Sequence, residues 1–213
     1  FIVSSANSHV EHYKNLKRLE FDLYRNNKFI GTHIYDFSKE NEVLTVKSKI
    51  NFKIKKLGIV LYKYSAQGTE LYKDENLVNF NSTTNQNGKK KYVNIELNGQ
   101  NYIIDGSSYR GTAPKDYILG TWWNHAIVKA NAQISAVSGR IIKQKVTFLG
   151  KETIKINGKK LKTLHFNFSS SDKKLDEGKR LNTDIWYDEN ELVWVKASFK
   201  KKGFWEYRLR LKK

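Results

Sequence analysis

The five histidines are the side chains best suited to bind a transition metal. His9 and His12 are three residues apart, whereas His33, His125 and His165 are spread along the chain. If the mature chain began at His9, its α-amine and imidazole would form a copper chelate, with His12 as a further ligand. The alternative is a solvated terminus and ordinary strand histidines. We favour this alternative, so the sequence predicts no metal site and no bound cofactor.

The carboxylates and hydroxyls match no catalytic signature. A glycosidase needs two carboxyl groups at a defined separation in a cleft, but the candidate aspartates are scattered among loops and strand ends: Asp105, Asp116, Asp184 and Asp188. Asp188 is expected to begin a turn through its side-chain hydrogen bonds. The chain has no Gly-x-Ser-x-Gly motif, no phosphate-binding glycine loop and no cysteine. A protein without enzymatic activity is therefore predicted.

Aromatic side chains are concentrated in an irregular segment in the middle of the chain. Trp122 and Trp123 are adjacent, Tyr109 and Tyr117 precede them, and the sole proline, Pro114, lies in the same segment. Such rings can close over an apolar ligand or stack on a sugar, so the four aromatic residues are the predicted ligand-binding residues. Alternatively, a tryptophan fills the open end of a barrel. Because neighbouring side chains point in different directions, we expect one tryptophan to be buried and the other partly exposed.

Lysine and arginine total 39 against 21 aspartate and glutamate residues, which gives a formal net charge of +18. Nine clustered lysines are the predicted contacts with an anionic surface: Lys53, Lys55, Lys56, Lys89, Lys90, Lys91, Lys200, Lys201 and Lys202. A cationic excess attracts polyanions. Since no RNA-recognition motif is present, an anionic membrane, lipopolysaccharide or glycan is predicted as partner, and nucleic acid is not. The alternative is a lysine-rich composition that only solvates the outer faces of strands.

The pattern that must position these residues is an alternation of apolar and polar side chains, typical of half-buried β-strands. Residues 43–55 show it most clearly, and turn sequences such as Asn87-Gly88 separate successive runs. The sequence predicts an all-β fold, a curved antiparallel meander forming a barrel or half-barrel. A central insert over about residues 105–137, with a short helix over about 121–130, is expected to act as a lid or plug.

The first residues resemble the end of a signal peptide. Phe1-Ile2-Val3 is apolar, and small residues follow as far as Ser8. We expect residues 1–8 to be a signal-peptide remnant cleaved near Ser8, and residues 9–213 to form one all-β domain. The alternative is a fragment cut from a longer protein. A length of 213 residues suits one domain, and either half alone would leave an apolar sheet face uncovered.

Several segments together resemble an exported bacterial family of unknown function. They are Phe29-Ile30-Gly31-Thr32-His33, Trp123-Asn124, Ser138-Gly139-Arg140, Val146-Thr147-Phe148-Leu149-Gly150, Asp184-Ile185-Trp186-Tyr187-Asp188 and Tyr207-Arg208-Leu209. That family is similar to the wider group of periplasmic domains of unknown function that resemble the lipoprotein carriers LolA and LolB. The resemblance covers about Leu19 to Leu211, with His125 where the family is expected to have proline. It implies a curved sheet with a concave apolar face, a periplasmic location in a Gram-negative cell, and no known reaction.

Three functions are compatible with these observations. The predicted one is a non-enzymatic periplasmic protein that binds an apolar or amphiphilic small molecule, such as a lipid or acyl chain, in the curved sheet. The first alternative is a structural or interaction protein with a packed barrel, whose basic surface docks on an anionic membrane or glycan. The second alternative is a metalloprotein that uses the N-terminal histidines. Whether the concave side of the sheet is hollow or solid separates the prediction from the first alternative.

Overall fold

The structure is a computed structural model that describes Tyr13, residues 15–172 and residues 174–213. The predicted signal-peptide remnant and both histidines of the candidate copper site, His9 and His12, lie outside the described residues. Within the described residues, no helix is long and apolar enough to cross a membrane.

β-Strands make up most of the described chain. They are β1 (Arg18–Arg25), β2 (Lys28–Glu40), β3 (Val43–Lys56), β4 (Ile59–Lys73), β5 (Asn76–Gln86), β6 (Lys89–Asn98), β7 (Asn101–Gly106), β8 (Tyr109–Pro114), β9 (Ile118–Leu119), β10 (Ala132–Ile134), β11 (Ile141–Ile156), β12 (Lys159–Ser170), β13 (Asn182–Asp188), β14 (Trp194–Lys200) and β15 (Phe204–Lys212). Short 3-10 helices occupy His125–Lys129 and Glu177–Lys179. The predicted helix at 121–130 is thus reduced to one 3-10 segment.

All these strands belong to one curved sheet in the order β8-β7-β6-β5-β4-β3-β2-β1-β15-β14-β13-β12-β11-β10-β9. Each strand pairs with its neighbour in the antiparallel sense, except β9 and β10, which are parallel. The first and last strands meet through pairs such as Leu23 with Tyr207. The sheet is not closed, because no ladder joins the edge strands β8 and β9. The all-β prediction, a curved antiparallel meander of the half-barrel kind, is confirmed.

The alternation seen in the sequence assigns one strand face to the interior. In β3, Leu44 and Val46 are buried, while Lys47 and Lys49 are exposed. Asparagine and glycine adopt left-handed backbone conformations at several hairpin turns, as at Asn87-Gly88 (φ 52° and 93°). Such turns match the twist of the strands they join. β-Bulges, such as the one between Leu23 and Tyr24 of β1, add to the twist and help the sheet curl.

The insert between β8 and β11 runs along the concave side of the curved sheet and acts as a plug. Trp123, Ile127 and Ile134 have no exposed surface. The Trp123 ring meets the edges of rings on β2 and β4, with centroid distances of 5.2 Å to Phe37 and 5.5 Å to Tyr72. These contacts show that the sheet wraps around the insert.

Successive hairpin turns of an antiparallel meander lie alternately at the two ends of the strands, so the curved sheet has two distinct ends. We call the end that carries the β1–β2, β3–β4, β5–β6 and β14–β15 turns the mouth. The first and last of these are joined by a hydrogen bond from Asn26 N to Phe204 O (2.7 Å). The other end, which we call the closed end, is filled by Trp123 and by Tyr13. The Tyr13 ring meets Trp123 edge-on at 5.4 Å, and its hydroxyl donates to Leu192 O (3.0 Å).

Candidate functional site

The inner wall changes from solid to incompletely filled between the closed end and the mouth. The cross-strand row Phe37, Val46 and Glu70 is buried, with exposures of 7%, 0% and 0%. Nearer the mouth, several inward positions keep part of their surface accessible, although Tyr35, Phe52 and Thr84 on the same face are buried. We call this region the recess; its half-buried lining residues are Gly31, His33, Ser48, Ile50, Tyr64, Ala66, Gly68, Trp122, Phe199, Trp205 and Tyr207.

Aromatic rings form a continuous wall along one side of the recess. The Trp122 ring lies 5.4 Å from Tyr207 and 5.3 Å from Trp194, both at edge-to-face angles. Trp205 stacks on Phe199 at 5.8 Å. The facing side, on β2, β3 and β4, mixes small residues such as Ser48 and Ala66 with the rings of His33, Phe52 and Tyr64. The Phe52 ring lies 5.4 Å from Trp205, so the two sides contact each other there.

Two polar atoms in this region have no hydrogen-bond partner within the described structure, His33 Nδ1 and Trp194 Nε1. The two rings are 6.5 Å apart. Burial lowers the pKa of His33 to about 3, so the imidazole is neutral at ordinary pH. Buried polar groups in proteins are nearly always paired. Both atoms are themselves buried, and Trp194 has no exposed surface, so neither faces open space.

The rim of the mouth is cationic because lysine runs that are far apart in the sequence all lie at this end of the sheet. The runs at 53–56, 89–91 and 200–202 all adjoin mouth turns. Lys91 points inward, since it pairs with the buried Thr84 of β5. Desolvation lowers the pKa of Lys91, and the nearby cations of Lys89, Lys201 and Arg140 lower it further. This region would accept an anion and relieve that repulsion.

The four aromatic residues predicted from the sequence do not come together. Trp122 lies in the recess wall, and the neighbouring Trp123 is buried, as expected for an adjacent pair. Tyr109 begins β8 near the mouth, and its hydroxyl donates to Thr112 O (2.7 Å). Tyr117 is at the closed end, where it borders a pocket of about 240 Å³.

A buried carboxylate, which the sequence interpretation missed, anchors the plug. The Trp123 Nε1 atom donates to both carboxylate oxygens of Glu70 (3.1 and 3.0 Å), and the Tyr72 and Thr121 hydroxyls donate at 2.7 and 3.4 Å. Burial raises the pKa of Glu70 to about 7 against the opposing effect of these donors. The sequence did contain a sign of this buried carboxylate, because Glu70 lies two residues before Tyr72 and therefore on the same, inward face of β4.

A second missed cluster lies on the outer face of the sheet. The His165 ring stacks on Trp186 at 4.1 Å, and its Nδ1 atom is 3.0 Å from a Glu152 oxygen. The Lys196 ammonium lies 4.6 Å from the Trp186 ring centroid. These contacts cover Trp186. The cluster lies on the opposite face from His33, so these two histidines form no joint site.

Of the candidate catalytic and metal-binding residues, Asp184 lies near a histidine, 3.5 Å from Oδ1 to His165 Nε2, whereas Asp105 and Asp188 have other partners. Asp188 caps a turn, as predicted, by accepting hydrogen bonds from the backbone of Asn190 (2.9 Å) and Glu191 (2.7 Å). Asp105 pairs with Arg110 at 2.8 Å. Among the described residues, no group of three or more histidine, cysteine, aspartate or glutamate side chains is arranged to hold a metal ion.

Comparison with known proteins gives a family and a fold. A family model described as a domain of unknown function, DUF6134, matches residues 21–212. No curated protein matches the chain. The crystal structure of a beta-barrel-like protein of the domain of unknown function DUF1849 from Brucella abortus is similar, with a TM-score of 0.63 and 9% identity over 93% of this chain and 97% of that chain. A DUF1329 family protein from Desulfovibrio piger aligns at 9% identity over 96% and 89% of the two chains, with a TM-score of only 0.22.

Proposed function

We propose that this chain, which belongs to the DUF6134 family, binds an amphiphilic small molecule without transforming it. The apolar part of the ligand occupies the recess, and an anionic group of the ligand lies at the mouth. The observation that carries the proposal is the contrast within a single inner wall, which is packed at the closed end and keeps partly exposed residues, such as Ile50, Ala66 and Trp122, towards the mouth.

Chemically, the recess suits an apolar chain or ring system. Its walls carry several aromatic rings on both sides, together with the small residues Ser48 and Ala66. Burying apolar surface against such walls gains roughly 25 cal/mol per Å². Ligand pockets are typically apolar cavities with a few polar groups that fix orientation. The half-buried Lys91, which points inward at the mouth, is one polar group suited to that role.

The rim favours a negatively charged head group over a neutral one. Lys91, Lys201 and Arg140 approach one another closely enough to lower the pKa of Lys91. An anion placed among them would replace mutual repulsion with attraction, and its affinity would fall as salt increases. The proposal gives the charged rim and the aromatic wall separate roles, one for the head group and one for the apolar body. A periplasmic location remains a prediction from the sequence.

Two measurements test the proposal. Native mass spectrometry of gently purified protein, followed by solvent extraction, should reveal a co-purified amphiphile. Titration with cis-parinaric acid, an anionic fluorescent fatty acid, should show saturable binding that is weaker for an uncharged ester of the same chain. A clean ligand-free mass together with no saturable binding of the probe would overturn the proposal.

A variant that fills the recess and a matched control variant test where the ligand binds. Ala66 points into the recess, and its neighbour Ser65 points outward along the same strand. We expect Ala66→Phe to reduce probe affinity at least about tenfold because the added ring occupies the ligand's volume, and Ser65→Phe to leave it unchanged. Circular dichroism and thermal unfolding identify misfolded variants, and Ser48→Leu provides a second, smaller filling of the same space. Equal affinities for all three variants would place the ligand elsewhere.

A further inference from the structure

The β3–β4 hairpin ends in an apolar tip that the fold leaves uncovered. Leu57 in the turn is 93% exposed, and Ile59, Val60 and Leu61 at the start of β4 are 67%, 47% and 55% exposed. Phe29 on β2, 57% exposed, lies beside the same hairpin in a groove of about 650 Å³. Exposed apolar residues are common singly, but a contiguous group commonly marks an interaction site.

The strands that carry the tip are uniformly cationic. No acidic residue occurs between Glu42 and Glu70, and that stretch contains six lysines. Four of them lie close to the tip: Lys53, Lys55, Lys56 and Lys63, all exposed. Arg25 and Lys28 line the adjoining groove. The surface therefore combines the apolar tip with a surrounding group of exposed cations. We call the four lysines the lysine collar.

We propose that this tip docks on an anionic lipid bilayer, with Leu57, Ile59 and their apolar neighbours entering the interface and the lysine collar contacting lipid phosphates. Apolar residues flanked by cations are the combination that binds such interfaces, because burial and attraction to anionic lipids add together. Each lysine close to an anionic leaflet adds a further electrostatic contribution. The proposal goes beyond ligand binding in the recess, since the tip forms no part of the recess wall.

Two observations favour a bilayer over a second copy of the chain. Two copies would bring like-charged collars together around the tip, in a protein whose formal net charge is +18. Such juxtaposition of like charges opposes association. A leaflet containing anionic lipid instead offers the complementary charge. Docking by this hairpin would also bring the mouth to the membrane, because the β3–β4 turn is one of the mouth turns.

The decisive experiment uses ligand-stripped protein and vesicles of phosphatidylglycerol and phosphatidylcholine, with pure phosphatidylcholine vesicles as the neutral control. We expect sedimentation with the anionic vesicles only, weakened by salt. Lys53→Ser/Lys55→Ser should weaken binding about 30-fold, from roughly 1 kcal/mol for each lysine. The charge-matched control Lys159→Ser/Lys160→Ser changes two exposed lysines of the β11–β12 turn and should have a clearly smaller effect. Equal losses for the two pairs would overturn the proposal.

The apolar contribution has its own matched pair. Leu57→Ser/Ile59→Ser should weaken vesicle binding more than about tenfold. Ile103→Ser/Leu149→Ser alters apolar residues that are 46% and 53% exposed elsewhere, and should leave binding unchanged. All four residues are surface residues, so the variants are expected to fold, and thermal unfolding checks this. Loss of binding in the control pair alone would assign docking to another surface.

Insertion can be observed directly because the chain contains no cysteine. A single Leu57→Cys variant labelled with an environment-sensitive dye should shift its emission to the blue on anionic vesicles, and Leu149→Cys should not. A shift at position 57 that requires no vesicles but rises with protein concentration would indicate self-association and overturn the proposal. A clean ligand-free mass and no parinaric acid binding, with intact vesicle docking, would overturn only the proposed function, so the two ideas fail independently.

Discussion

Replacing Glu70 by glutamine should make the protein's stability respond to pH in a new way. Burial raises the pKa of this carboxyl from 4.5 to about 7, although Trp123, Tyr72 and Thr121 all donate hydrogen bonds to it. Between these two pH values the native state holds a proton that the unfolded state has released. The contribution of Glu70 to stability is therefore greatest below pH 4.5 and is lost as the pH rises through about 7.

The size of the effect follows from the shift. A difference of about 2.5 pKa units at roughly 1.4 kcal/mol per unit corresponds to about 3 kcal/mol. Glutamine keeps an oxygen that accepts from the Trp123 indole and cannot ionise. The free energy of unfolding of Glu70→Gln, minus that of the wild type, should therefore increase by about 3 kcal/mol between pH 4.5 and pH 8. Subtracting the two profiles removes the titration of all other groups.

The assay is urea unfolding followed by tryptophan fluorescence at half-unit steps of pH, with Glu96→Gln, at an exposed position of β6, as the control for removing one charge. A difference that stays constant with pH would refute the reasoning, because Glu70 would then titrate alike in the native and unfolded states. A difference that falls as pH rises would show that the three donors outweigh burial.

Three further predictions concern the recess and the plug. The pKa of His33 is lowered from 6.5 to about 3, so its contribution to stability is fully present only above pH 6.5 and is lost as the pH falls towards 3. The free energy of unfolding of His33→Phe, minus that of the wild type, should therefore decrease as pH rises from about 3 to 6.5. Trp122→Ala should lower parinaric acid affinity with a small change in melting temperature, whereas Trp123→Ala should cost about 3–5 kcal/mol in urea unfolding. Gly106→Ala should destabilise by about 1–3 kcal/mol, because its Cβ would lie 2.6 Å from Ser138 O.

The architecture was predictable because its determinants are local. Alternation within residues 43–55 specifies a strand with one inward face, and Asn87-Gly88 specifies a tight turn without reference to distant residues. The turn at Asp188 and the opposite burial of two neighbouring tryptophans follow from the same short-range geometry. The sequence by itself therefore determined an all-β meander interrupted by a central aromatic insert, together with the cationic character of its surface.

Only the tertiary structure decided where space remains and which charges meet. The recess is lined by residues of β2, β3 and β4 and by rings of β14 and β15, which pairing of the first and last strands brings into one wall. The Glu70 anchor requires β4 to meet Trp123, 53 residues later. The alternation of apolar and polar residues determines which face of each strand is buried. The curvature of the whole sheet and the summed side-chain volumes determine whether the interior is filled.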